Sequence, residues 1–488
     1  MRIAAAVVLC AAIAAPAAAQ SERAAPEGAA HWRSMAALDL EAAYRLVLDN
    51  HPGATSELGD DQLRSGLAAA IERSRAKAAQ VDSYAGYVAV LQGFAVSLGD
   101  KHIWSRQVLR PTVYQWPGLA MAYRGGSWQV AIDARRGQDS ALKGAVLVSC
   151  DGRSANDLAE ERLGSYRGVW TIEAQRVQTA PYLFLDDGNP FLQRPSACEF
   201  EISGERRKVE LKWVQVGPIT LSEQLGKGVN VGAAGMGVRE FEGGHWIALE
   251  SLGGGAREVV DAVKAQVATL RRSPMVVLDL RGNGGGASSF GDEIARALMG
   301  DAYFARAQAG ASTNDCPDLW RATPGNLEGL RSFYDRNASA FDEQSRAWWE
   351  ATLKGLDEAV AKGEPFDGPV RACLGADGPE LPPLDGRGSL LSGKMVILTD
   401  AECFSSCLLV TKTFRRLGAL HVGDATDAAT RYMEVREMLL PSGISYASTL
   451  QKVSLGSPRQ IGPFTPSRRY EGDMSDTKAL EAWVAGLR

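Results

Sequence analysis

Histidine is scarce in this sequence, with five residues in 488, so any imidazole chemistry must come from a short roster of positions. Lys/Arg-rich runs are missing. Lysine and arginine (53) fall short of aspartate and glutamate (58), and the net charge of −5 supplies no basic footprint for nucleic acid. Beyond the first twenty residues no stretch approaches the ~20 uncharged apolar residues that a membrane-spanning helix needs, so stable membrane insertion is not expected. Neither periodic glycine nor a depleted apolar content is present. With 45% apolar and 23% charged residues, 52 Gly and 21 Pro, collagen-like, coiled-coil and disordered chains are excluded. At ~150 residues per domain, the length suggests about three domains with sizeable cores.

The first segment, MRIAAAVVLCAAIAAPAAAQ, carries a positive charge at Arg2, a short apolar run and an Ala-x-Ala ending. It reads as a secretory signal peptide, residues 1–19, cut after about Ala19. Leu9 before Cys10 does not fit a lipoprotein site. The mature chain is therefore expected to be periplasmic or secreted, where disulfides form. Of seven cysteines, six remain after the cut. Proximity favours Cys150 with Cys198 and Cys316 with Cys373. Cys403 and Cys407 are left over, and with so few histidines nearby they make a poor zinc site, so no metal is expected.

Periodicity divides the rest. Residues 20–110 read as a helical region: Tyr84, Tyr87, Val88, Leu91, Phe94, Ala95 and Leu98 recur at three and four, with Ser83 as a cap and Gly99 as a stop. An earlier helix through Leu40, Ala43, Tyr44, Val47 and Leu48 ends at His51-Pro52-Gly53. Residues 111–216 switch to period two, with strands expected over 128–134, 145–150, 197–203 and 207–214. Their order, with a short helix from Asn156, resembles a PDZ domain, although Pro117-Gly118-Leu119-Ala120 is a poor match to the usual carboxylate-binding loop. Residues 217–488 alternate helix and strand: a helix over 256–270, the strand 275–280, the loop RGNGGG, a helix near 290–298, and later the strand 395–399, DAECFSSC, another helix and the strand 419–422. A long insertion occupies about 300–390, including a helix near 345–360 whose Trp348 and Trp349 suit helix packing. The fold class expected is α/β, a mainly parallel sheet catalytic domain with a helical N-terminal region and a PDZ-like β domain.

Two loops carry possible chemistry. Arg281-Gly282-Asn283-Gly284-Gly285-Gly286 lacks the Lys-Ser/Thr of a phosphate loop, and no acidic strand end follows to complete a dinucleotide site, so no cofactor is expected. Either it is a tight structural turn, or its glycines let backbone N–H groups face a developing oxyanion. In Ala401–Cys407, a serine at a strand-to-helix junction presents its hydroxyl near free N–H groups and the positive helix end. The plain alternative is that Ser405 or Ser406 caps the helix. Cys403 and Cys407 are possible nucleophiles too, but an even cysteine count in an exported protein argues against a free thiol.

VVLDLRGNGGG, VILTDAECFSSC, GALHVGDAT and a late LPSG together resemble the C-terminal processing (tail-specific) serine peptidase family, which includes tricorn-type proteases. The resemblance implies hydrolysis of protein or peptide substrates by Ser405. It also implies an oxyanion hole from the N–H groups of Ser406 and a loop glycine, Gly285 in first place or Gly284. Bacterial tail-specific members pair the serine with a lysine, yet the corresponding stretch here is Asp427-Ala428-Ala429-Thr430. Tricorn-like relatives use a histidine after the N-terminal helices, which falls on His102 and makes it the expected general base. Relatives orient that histidine with a late glutamate, whose counterparts here are Gln460 or Glu434. Asp100 is too near His102 in sequence to be judged from spacing. The expectation is an exported serine endopeptidase of undetermined oligomeric state. The alternative is a non-catalytic peptide- or ligand-binding protein on the same fold.

Overall fold

The computed structural model describes residues 28–109, 113–135, 142–225, 234–309, 316–371, 373 and 380–487. The proposed signal peptide lies outside them. Helices Ala29–Asn50, Asp61–Ala78 and Tyr84–Val96 form the amino-terminal region. Asp60 accepts a hydrogen bond from the Leu63 N–H and Ser83 one from the Gly86 N–H, so both later helices start at capped ends. Leu40, Val47, Ile71, Tyr87, Leu91 and Phe94 pack into one core that also takes in Leu450 and Val453 of the late strand Ser445–Ser454. The first helices are thus fastened to the carboxyl half. This matters for the site, because Gly99 (φ 77°) ends the third helix and releases the chain into Asp100–Trp104 beside that strand.

A small antiparallel sheet follows, ordered Leu119–Arg124, Ser127–Asp133, Val146–Cys150, Ala197–Ile202, Glu205–Glu210. Cys150 and Cys198 are direct cross-strand partners and form a disulfide, and Cys316 pairs with Cys373. The strand expected over 207–214 is displaced. Ser203 and Gly204 both take positive φ in a two-residue hairpin, which begins the strand at Glu205, while Val214–Val216 leaves to pair with Tyr114–Trp116.

The third unit is a six-stranded sheet ordered Met236–Phe241, Gly244–Leu249, Met275–Asp279, Lys394–Thr399, Leu420–Gly423, Arg468–Arg469. The first pair is antiparallel and the remaining neighbours are parallel. Alternation along the strands explains their unbroken apolar runs. Val276, Leu278 and Ile397 face helices Ala256–Ala265, Ser289–Met299 and Ser406–Arg416, whereas Val277, Val396 and Leu398 face helix Thr477–Ala485. The helix expected over 256–270 breaks at Gln266, whose backbone leaves the helical region, into Ala256–Ala265 and Val267–Arg272. In the insertion, Trp349 packs with Leu353 and Val360 between helices Pro324–Asn337 and Glu343–Lys362, but Trp348 remains 51% exposed, so only one of the pair serves packing.

Candidate active site

Parallel strands Met275–Asp279 and Lys394–Thr399 are adjacent in register, with Asp279 opposite Leu398, so the loops leaving their carboxyl ends lie side by side. One loop is Arg281–Gly286 and the other is Asp400–Ser405. The first is held from beneath. Arg281, fully buried, pairs with Asp279 at 2.7 Å and donates to the Met474 carbonyl, and the Trp246 indole donates to the same aspartate. The two loops are also tied to each other: Asp400 accepts from the Gly282 N–H at 3.0 Å, and the Phe404 N–H donates to the Asn283 carbonyl at 3.1 Å. Burial pushes the Asp400 carboxyl well above its ordinary range, and Glu402 adds to the effect.

Ser405 stands at the junction with helix Ser406–Arg416 in a left-handed backbone conformation, φ 56° and ψ −124°, rare for a residue with a side chain. Its hydroxyl makes no capping bond. Instead Ser405 Oγ lies 3.0 Å from His102 Nε2. Ser406, the first helical residue, donates its hydroxyl to the Gly286 carbonyl at 2.6 Å, and its N–H has no acceptor among the described residues. The capping alternative for these serines is therefore not what the geometry shows.

His102 arrives on the amino-terminal segment. Ser105–Gln107 pairs with Ser445–Ala447, and Ser448 Oγ donates to the His102 carbonyl at 2.8 Å, which fixes the backbone. The imidazole lies over the Phe404 ring, with centroids 4.3 Å apart. Its Nδ1–H donates to Asp100 Oδ1 at 2.8 Å, and the His102 N–H donates to the same oxygen at 2.9 Å. That tautomer leaves Nε2 as the acceptor facing Ser405. Asp100 is 5% exposed and receives a further bond on Oδ2 from the Thr430 hydroxyl. Burial raises its carboxyl pKa, but the bonds from His102 and Thr430 outweigh burial and hold it below the ordinary carboxylate value.

Several sequence expectations are redrawn. Gln460 and Glu434 do not partner the imidazole: the Gln460 amide donates to the Gly462 carbonyl, and the Glu434 side chain is exposed on strand Tyr432–Leu439. Asp100 occupies the position assigned to them, because Gly99 turns the chain so that residues two apart fold back on each other. Gly285 lies against Ser405, since a Cβ added to it would lie 2.8 Å from Ser405 Cβ and 3.1 Å from the Ser406 nitrogen. Its N–H, however, donates to Asn283 Oδ1 at 2.9 Å, and Asn283 is anchored by donation to the Leu249 carbonyl. Gly284 is exposed, and its N–H has no acceptor among the described residues. Cys403 and Cys407 form a disulfide and are neither ligands nor nucleophiles. His51 packs edge-on against Tyr432, His245 bonds Ser273 and His421 bonds Thr399.

A surrounding network escaped sequence reasoning. Lys101 Nζ lies 2.8 Å from Gln178 Oε1 and 3.3 Å from Asp427 Oδ2, and the buried Asp427 also accepts from Gln175 and Gln178. The small β domain is thereby bonded to the residues flanking the site. The stretch that lacks the lysine of bacterial relatives was the one signal available, since it supplies both Thr430 and Asp427.

Residues 246–463 match the model of peptidase family S41. No curated protein matches the sequence. Among solved structures, mature CPAF is 15% identical, with 94% of this chain and 97% of that chain covered and a TM-score of 0.58. Mature CPAF complexed with lactacystin is likewise 15% identical, covering 94% and 98%, with a TM-score of 0.57. The photosystem II D1 C-terminal processing protease is 14% identical over 92% and 96%, with a TM-score of 0.34. The two CPAF matches show a shared fold along nearly the whole chain.

Proposed function

We propose, from the membership of residues 246–463 in peptidase family S41, a family of C-terminal processing serine peptidases, that this chain is an exported serine endopeptidase with Ser405 as nucleophile and His102 as general base. The observation that carries the reading is the 3.0 Å contact between Ser405 Oγ and His102 Nε2, with Asp100 on the other ring nitrogen. In the proposed reaction Ser405 Oγ attacks the peptide carbonyl carbon and gives its proton to Nε2. The Asp100 carboxylate stabilises the imidazolium. The oxyanion takes the Ser406 N–H at the helix terminus, joined by an amide of the glycine loop. His102 then returns the proton to the departing amine, and a water deprotonated by His102 releases the acyl group and restores Ser405.

Endopeptidase action and export are part of the same proposal. The three disulfides support an oxidising destination, in agreement with the amino-terminal signal read from residues 1–19. No helix among the described residues is long and apolar enough to cross a membrane. The small β domain, read as PDZ-like, would hold part of a polypeptide substrate near the site through its contacts at Gln175 and Gln178.

A second reading, binding without hydrolysis, has one observation in its favour: the Gly285 N–H is already engaged by Asn283. Incubating unstructured proteins with the mature chain and with Ser405→Ala separates the two. Fragments from the wild type alone support the peptidase, and equal behaviour of both proteins overturns it.

A further inference from the structure

The cysteines left unassigned by the sequence form a disulfide, Cys403–Cys407, that brackets Ser405. Every residue enclosed by this small ring has a contact in the site. Phe404 supplies the surface beneath the His102 imidazole. Ser405 presents its hydroxyl to Nε2, and Ser406 offers its unbonded N–H while anchoring its hydroxyl on Gly286. We propose that the Cys403–Cys407 bond is a positioning device for the nucleophile, and this inference rests on the reading of Ser405 as the catalytic serine.

Two considerations support a local rather than a global role. A cross-link restrains the unfolded chain in proportion to the loop that it closes. Here the separation is 4 residues, against 48 and 57 for the other two disulfides, so this bond contributes the least of the three to overall stability. Both cysteines are fully buried in the core beside Leu408, Val410 and Phe414, where alanines would also pack. What alanines would not supply is a covalent tie from the end of the incoming loop to the first turn of helix Ser406–Arg416.

The tie acts where the backbone is strained. Ser405 holds φ 56°, a conformation that persists in a non-glycine residue only when its surroundings over-determine it. Relaxation toward negative φ would swing Oγ away from Nε2 and tilt the Ser406 N–H. Attack geometry tolerates such displacement poorly, since a shift near 1 Å costs about 100-fold in rate. Cys403 and Cys407 touch neither substrate nor reacting atoms, so they are positioning residues.

The test is the second-order rate of Ser405 modification by a fluorophosphonate, with kcat and KM for a peptide, in the wild type, Ser405→Ala, the double variant Cys403→Ala/Cys407→Ala, and the control Cys150→Ala/Cys198→Ala. The double variant is expected to stay folded, to lose at least tenfold in labelling rate and kcat with KM little changed, and to lose less in Tm than the control. The control is expected to keep its labelling rate. A folded double variant labelled within twofold of the wild type overturns the inference while leaving Ser405 as nucleophile. A wild type that is not labelled at Ser405 overturns both. Should the double variant not fold, wild-type protein prepared with its disulfides partly formed gives the answer by mass spectrometry of the labelled and unlabelled fractions. Enrichment of the oxidised 403–407 pair in the labelled fraction supports positioning, and equal oxidation in the two fractions contradicts it.

Discussion

His102 Nε2 and Ser405 Oγ meet at 3.0 Å although 303 positions separate them in the chain. The meeting depends on the amino-terminal helices sharing a core with strand Ser445–Ser454, which carries the short strand Ser105–Gln107 on its edge. Packing in one half of the molecule thus sets a hydrogen bond in the other.

Asp100 should matter through the ring it holds. Asp100→Asn keeps the shape but removes the charge that stabilises an imidazolium, and it permits the wrong tautomer. We expect kcat to fall about 10⁴-fold with KM little changed, measured by peptide hydrolysis. A change under threefold would assign the role to another group.

Thr430 is the bond behind that carboxylate. Thr430→Val preserves volume and deletes the donor, and a hydrogen bond to a charged group is worth about 1.5–3 kcal/mol. A loss of about tenfold or more in kcat is expected, together with some loss in Tm because the buried carboxylate is left without its donor. Unaltered kcat would make Thr430 purely structural.

The glycine loop offers a paired comparison. At Gly285, with φ 107°, an added methyl would collide with Ser405 Cβ, whereas at Gly284 nothing lies within 4 Å. Gly285→Ala is expected to lower phosphonate labelling of Ser405 by about 100-fold or more, and Gly284→Ala far less. The reverse order would move the oxyanion-facing position to Gly284.

Acid should unfold the protein through buried histidines other than His102. Burial lowers His51 from 6.5 to about 4, and burial together with Arg415 lowers His421 to about 3. Both rings stay neutral in the fold while the unfolded chain takes up protons below about pH 6.5. Each therefore removes about 1.4 kcal/mol of stability per pH unit as pH falls from there toward its native value. Asp400 and Asp424, raised by burial, act in the opposite sense, so the readout is a difference. His421→Gln is expected to flatten the dependence of unfolding free energy on pH between 6 and 4, and an unchanged slope would contradict the assignment.

Sequence patterns reached far into this fold. Apolar spacing located the helices through Leu40 and Leu91, unbroken runs placed strands at 275–280 and 395–399, within a residue of Met275–Asp279 and Lys394–Thr399, and the family resemblance pointed to His102. What they missed has a physical pattern as well. The strand Ser105–Gln107 is too short to have a period, and Gln266 breaks a helix whose apolar stripe runs on past it. Asp100 is too near His102 in sequence to be judged from spacing, and it is the turn at Gly99 that brings the two together. Six cysteines allow about 15 pairings, and the sequence does not choose the Cys403–Cys407 bond among them. Lys101 with Asp427 joins elements whose adjacency is a matter of tertiary packing.

The most direct test is peptide mapping of the mature chain after reaction with a fluorophosphonate, alongside His102→Ala and Ser405→Ala. A single adduct on the peptide bearing Ser405, formed at least about 100-fold more slowly in His102→Ala and absent from Ser405→Ala, is the result predicted here. An adduct on another residue, none at all, or equal rates with and without the imidazole would contradict a Ser405–His102 mechanism.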